Sequence, residues 1–139
     1  MNYQLLFECT ILTDPKPKGR PRFTRKGFAY TPKETKDYET QLTQAIAKAW
    51  NYPYLEERPL IIELTFNLQK PKTSKRDYPI GRPDLDNLAK AVLDSMNKIV
   101  YKDDSLICDL ILKKRYSSLG YIDLKVKALD CITNQEAPI

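Results

Sequence analysis

Along this chain the apolar residues switch between a period of two and a period near 3.6, and that alternation restricts the fold more than any other feature. Tyr3, Leu5, Phe7, Cys9 and Ile11 alternate, so residues 3–12 predict a strand with one apolar face. Thr31-Pro32-Lys33-Glu34 then has the form of a capping box with proline at the first helical position. The stripe Tyr38, Leu42, Ala45, Ile46 and Ala49 follows and predicts a helix ending near Trp50. Leu60, Ile62, Leu64, Phe66 and Leu68 return to period two and predict a second strand over 59–68. Leu88, Val92, Met96 and Ile99 carry a second helical stripe that starts near Asp86. LICDLILKK and YIDLKVKAL, joined by YSSLG, predict a hairpin.

The resulting order β-α-β-α-β-β contains no internal repeat or low-complexity tract. It predicts an α/β single-domain sandwich with a mixed four-stranded sheet and two helices. A length of 139 residues suits one core, which we place at 1–132, with 133–139 as a frayed tail. Hydrophobic residues make up 42% and charged residues 29%, and no apolar run approaches the ~20 residues of a membrane span. The start MNYQLLFECTIL has neither the basic onset nor the cleavage site of a signal peptide. A cytoplasmic protein without a membrane partner is expected.

The chain contains no histidine. That removes Ser/His/Asp and Cys/His catalysis, histidine–metal nucleases and histidine general bases together. Hydrolytic chemistry here has to rest on carboxylates, lysines and metal ions. Cys9, Cys108 and Cys131 are odd in number and lack CxxC spacing, so they read as buried small hydrophobes and not as disulfides or a zinc knuckle.

Charge is concentrated in two segments. KPKGRPRFTRK, residues 16–26, has six basic residues and no acid, while KPKTSKRDYPIGR, residues 70–82, has five basic and one acidic. Together they hold +10 in a chain of net charge +5, so the remainder sums to −5. Localised basicity of this kind suits a polyanion. Phe23, Phe28 and Tyr30 interleave with the first segment, as expected where bases or sugars stack beside phosphate contacts. Lys16, Lys18, Arg20, Arg22 and Arg25, with Lys72, Lys75, Arg76 and Arg82, are the expected phosphate ligands.

RPDLDNLAKAVLD, residues 82–94, places two aspartates one residue apart at a helix start. One of them is explained as a cap. If Arg82 to Leu85 is extended, Asp84 and Asp86 project to one side, with Asp86 near the N-cap. YKDDSL adds Asp103 and Asp104 before the next strand. Like charges ~4 Å apart repel by ~4 kcal/mol at an effective dielectric near 20, so converging carboxylates require a cation. Mg²⁺ is the hard cation usually held by one or two carboxylates with waters and a substrate phosphate. Lys90, one turn beyond Asp86, is placed to stabilise charge on the phosphate or the leaving oxygen. Taken singly, the aspartates also read as caps and turn residues and Lys90 as a helix-surface ion-pair partner.

The string RPDLDNLAKAVLDSMNKIVYKDDSLI, residues 82–107, resembles the signature of the RusA family of Holliday junction resolvases, and KPKGRPRF resembles that family's basic loop. The resemblance spans most of the chain in order. It implies a homodimeric endonuclease, dependent on Mg²⁺ or Mn²⁺, that resolves four-way DNA junctions in recombination and repair and is often encoded by phages or prophages. It also implies metal-binding catalytic aspartates at Asp84, Asp86 and Asp104, with Asp104 favoured over Asp103, and a catalytic lysine at Lys90. A non-catalytic nucleic-acid-binding module and a nuclease for other branched DNA are the rival readings.

Overall fold

A computed structural model describes residues 3–129. Strand β1 (Tyr3–Ile11) is followed by two short strands, β2 (Arg22–Phe23) and β3 (Ala29–Tyr30), then helix α1 (Lys33–Ala49) and strand β4 (Leu60–Gln69). Helix α2 (Leu85–Met96), a 3-10 turn (Asp104–Leu106), β5 (Ile107–Ser117) and β6 (Tyr121–Leu129) complete the order. The four long strands form one mixed sheet, ordered β1-β6-β4-β5, and β2 and β3 form a separate two-stranded ribbon that starts in the first basic segment and ends just beyond it. The expected α/β architecture is therefore the one observed. The ribbon is an addition to it.

The last two strands do not make the expected hairpin. β5 pairs parallel with β4, and β6 pairs antiparallel with the other edge of β4, so β4 lies between them. Apolar content explains the insertion. Leu60, Ile61, Ile62, Leu64 and Phe66 are all buried, with Ile61 on the face opposite its two neighbours, and a strand of that kind is hidden best at the sheet's centre. β5 carries Lys113, Lys114 and Arg115 and leaves Leu110 and Ile111 exposed, which suits an edge.

Each fully buried apolar side chain contributes roughly 1.5–3 kcal/mol by leaving water. The core joins the inner face of the sheet to Tyr38, Leu42 and Ile46 of α1 and to Leu88, Val92 and Met96 of α2. Three sequence expectations shift at element ends. A bulge between Leu5 and Phe7 breaks the period of β1, so Tyr3 and Leu5 are exposed while Leu6 packs against the core. α1 begins at Lys33 with Pro32 at the N-cap and no side-chain cap, because the proline has no acceptor to offer. α2 stops at Met96, short of Ile99, and Lys98 turns the chain with φ 67°.

Cys9 is half-buried, and burial, followed by the charge of Asp123, pushes its thiol up to about 11. Cys108 is exposed on the edge strand, contrary to the buried reading. Cys131 and the tail from 133 lie outside the described residues.

The topology sends both basic segments to one end of the sheet. Ile122 of β6 is opposite both Ile11 of β1 and Phe66 of β4, so β1 and β4 run the same way and finish at the same end of the sheet, with β6 between them. Residues 16–26 leave from the first and residues 70–82 from the second. The latter lead directly into α2.

Candidate active site

Asp84 is the N-cap of α2, with φ −75° and ψ 145°, and its side chain makes no capping hydrogen bond. Asp86 stands in the first turn, where its carboxylate accepts from the Asn87 N–H at 2.9 Å. Because the helix starts at Leu85, the cap belongs to Asp84 and not to Asp86. The extended stretch expected from Arg82 to Leu85 therefore ends at Asp84, and Leu85 and Asp86 are already helical. Both carboxylates are exposed, beside the free N–H groups and positive dipole of a helix start.

The loop before this helix is tied down from the sheet. Lys114 of β5 donates from its ammonium to the carbonyls of Gly81 at 2.7 Å and Pro83 at 2.9 Å. Its neighbour Arg115 lies over the Tyr78 ring, 5.2 Å from the centroid. Sequence reasoning missed Lys114, since a Lys-Lys-Arg run on a strand reads as solvated charge. The available signal was a glycine- and proline-rich loop whose carbonyls need donors.

The first basic segment is fastened to the same helix. The Lys18 N–H donates to the Asn87 carbonyl at 3.0 Å. Its ammonium binds Glu39 of α1 and lies 3.5 Å from Asp94 of α2. Burial pulls its pKa down, but the hydrogen bond and charge of Glu39, aided by Asp94, outweigh this and hold it above the ordinary lysine value. Gly19 makes the approach possible, since a Cβ there would stand 2.0 Å from the Thr35 hydroxyl oxygen. Lys16 lies over the Tyr38 ring, 5.6 Å from its centroid.

The other expected phosphate ligands differ from these two. Arg20, Arg22, Arg25, Lys72, Lys75, Arg76 and Arg82 are exposed, and none makes an ion pair among the described residues. Arg22 pairs with Tyr30 across the ribbon, beside the exposed Phe23 and Phe28. Lys90 is exposed and stands 3.8 Å from Asp94, one turn further on, instead of at Asp86.

Asp103 and Asp104 belong to the opposite end of the sheet, where β5 begins beside Leu60. Asp103 caps the 3-10 turn by accepting from the Ser105 N–H at 3.0 Å, and hydrogen bonds from Ser105 hold its carboxyl below the usual range. The Tyr101 hydroxyl donates to the Leu93 carbonyl at 2.6 Å, and burial, then Asp104, Asp94 and Asp103, raise its pKa. That places Asp104 near the Asp94 end of α2. At 1.5 Å per residue, roughly 12 Å of helix separates Asp94 from Asp86. Among the described residues no group of three or more His, Cys, Asp or Glu side chains is gathered to hold a metal. The oxygen donors at residues 84 and 86 nevertheless suit a hard divalent cation, since the Asp84 carboxylate has no capping role and no softer ligand stands in the motif.

An α/β domain that presents an acidic helix start between two basic loops has the form of an enzyme acting on nucleic acid. Residues 13–127 match the family model described as Endodeoxyribonuclease RusA, which covers most of the chain, and the chain belongs to that family of DNA-cutting enzymes. It is also 27% identical over 132 residues to the uncharacterized protein YqaN of Bacillus subtilis (strain 168), a match that covers 85% of this chain and 93% of that protein.

Proposed function

We propose that this protein is a divalent-metal-dependent endonuclease that resolves four-way DNA junctions by paired phosphodiester hydrolysis. The observation that carries this reading is the Asp84 carboxylate, left without a capping bond at a helix start that both basic loops flank. Asp84 and Asp86 hold Mg²⁺, for which Mn²⁺ substitutes, and Asp104 joins them in the assembled, junction-bound complex. When bound, the ion supplies an acidified water and neutralises charge on the phosphate. Lys90, exposed and held among the described residues only by a surface pair with Asp94, turns its ammonium to the phosphate or the leaving oxygen.

Arg20, Arg22, Arg25, Lys72, Lys75, Arg76 and Arg82 bind backbone phosphates, contributing affinity and little sequence information. Lys16 adds to them from beside Tyr38. Lys18 acts as a clamp, because its ammonium already has two carboxylate partners. A four-way junction has two-fold symmetry and requires two matched nicks, which a homodimer with one site per subunit provides. Such an enzyme serves DNA recombination and repair.

The test is cleavage of a synthetic four-way junction in Mg²⁺ by wild type and Asp86→Asn. The variant is expected to bind the junction and leave it uncut. Unaltered cutting removes Asp86 from the site. A wild type that binds branched DNA but never cuts it, whichever divalent ion is supplied, is a binding module. Preferential cutting of flaps or forks makes the enzyme a nuclease for other branched DNA.

A further inference from the structure

Beside the Asp84 loop, the second basic segment, the chain at Asp14 and Pro15 just before the first, and the ends of β4 and β5 line a hollow of about 360 Å³. Its walls are Pro15, Pro71, Pro79, Pro83 and the ring of Tyr116, and its polar groups are Asp14, Gln69, Arg76 and Arg82. We propose that this hollow is a nucleobase subsite that receives one unstacked base of the strand whose phosphate lies at Asp84. The inference rests on the nuclease reading for its choice of ligand and on the hollow itself for its location.

The shape and chemistry of the lining fit that ligand. Ligand pockets span about 300–1,000 Å³, so this one is at the small end and admits a single ring system, not a duplex end. A base has two apolar faces and a polar edge, which match flat proline and tyrosine walls and a few polar groups. Asp14 offers acceptors only, Gln69 a donor and an acceptor, and the two arginines donors for the edge or the flanking phosphate. Asp14 is seated by a close approach to Gly120, where a Cβ would stand 2.0 Å from its carboxylate oxygen. Lys70 lies 5.9 Å from the centroid of the Tyr116 ring, adding a cation beside the stacking surface. The wall includes Arg82 and Pro83, the two residues before Asp84, so an occupant adjoins the acidic site directly.

Bases at a branch point lose stacking partners, and enzymes that work on nucleic acid commonly hold a displaced base in a pocket. Gly81 supplies a blocking variant, because it lines the hollow and a Cβ added there meets no atom within 4 Å. Gly81→Leu therefore fills space without a clash at the backbone.

The experiment uses four-way junctions carrying 2-aminopurine at successive positions from the branch point, bound by saturating full-length protein in EDTA, with cleavage in Mg²⁺ measured separately. Wild type is expected to change the fluorescence about threefold or more at one position adjoining the cut, and Gly81→Leu and Gln69→Ala to lose most of that change. Absence of any responding position, or an undiminished response in both variants, overturns the subsite. Cutting without a response leaves the nuclease reading standing and removes the subsite. A response abolished by both variants, in a protein that never cuts, supports the subsite and removes the resolvase.

Discussion

Replacing Lys114 with methionine removes the ammonium that joins β5 to the Gly81 and Pro83 carbonyls while keeping most of the side chain's length and apolar stem. A hydrogen bond to a charged group contributes about 1.5–3 kcal/mol when shielded from water. Lys114 is half-buried, and water reaches the carbonyls once they are released, so the two bonds together are worth about that range and not twice it. The loop they hold ends at Asp84, and any disorder released there must be removed again when the carboxylate takes its ligand. At 1.4 kcal/mol per tenfold, the Mg²⁺ concentration for half-maximal junction nicking is expected to rise by about tenfold or more. Lys114→Arg, which keeps a cationic donor, is expected to recover part of this. The assay is a Mg²⁺ titration of nicking beside urea unfolding of the same proteins. A lower urea midpoint with unchanged Mg²⁺ dependence makes the bonds structural alone and refutes the link to Asp84.

Four further outcomes are expected. With about six phosphates neutralised, junction affinity falls roughly 10³-fold between 50 and 200 mM salt, and a flat response removes the basic loops from the interface. Lys18→Met lowers stability in urea by about 1–2 kcal/mol by leaving Glu39 and Asp94 without their shared cation, yet changes the salt slope by less than one unit, unlike Arg22→Ala. Asp104→Asn raises the Mg²⁺ requirement for nicking more than Asp103→Asn does, and equal behaviour of the two removes Asp104 as the third ligand. Glu63, whose pKa is lowered by the Lys113 hydrogen bond and the Lys113, Lys127 and Lys125 charges, stabilises the fold fully above its unfolded value. That contribution fades as pH falls through the folded value, so the stability difference between wild type and Glu63→Gln, from urea unfolding followed by circular dichroism, should be largest near neutral pH and shrink in acid, and a difference that does not change with pH refutes the ion-pair role.

Strands and helices were legible where one face alone meets the core. The stripe of α1 and the alternation in β4 are local patterns, and burial follows them residue for residue at Tyr38, Leu42, Ile46, Leu60, Ile62, Leu64 and Phe66. Strand partners were not legible, because pairing is settled by competition among strands. YSSLG is good turn chemistry, but it joins β5 and β6 across the width of β4 because Ile61 gives β4 an apolar residue on its second face as well. Helix ends moved by one to three residues for a related reason. A cap depends on backbone angles that the side-chain period does not report, as Asp84 and Lys98 show.

The same distinction runs through the site. Asp84, Asp86 and Lys90 are visible in the sequence because their relation is local to one helix start. Whether Asp104 meets them depends on the path of a whole crossover, and within one chain that path leads to the far end of the sheet. The basic loops were visible as an excess of charge, but an excess does not say which cations have partners. Lys18 has two and Lys114 is fastened to two carbonyls, whereas the nine other loop cations outside Lys16 have no ion pair among the described residues. A polyanion competes for the unpaired group at little cost and for Lys18 only by breaking the link that fixes the loop to α2. The cations that order the site and those proposed to bind DNA are therefore separate sets, and mutating one from each should divide stability from salt-dependent affinity.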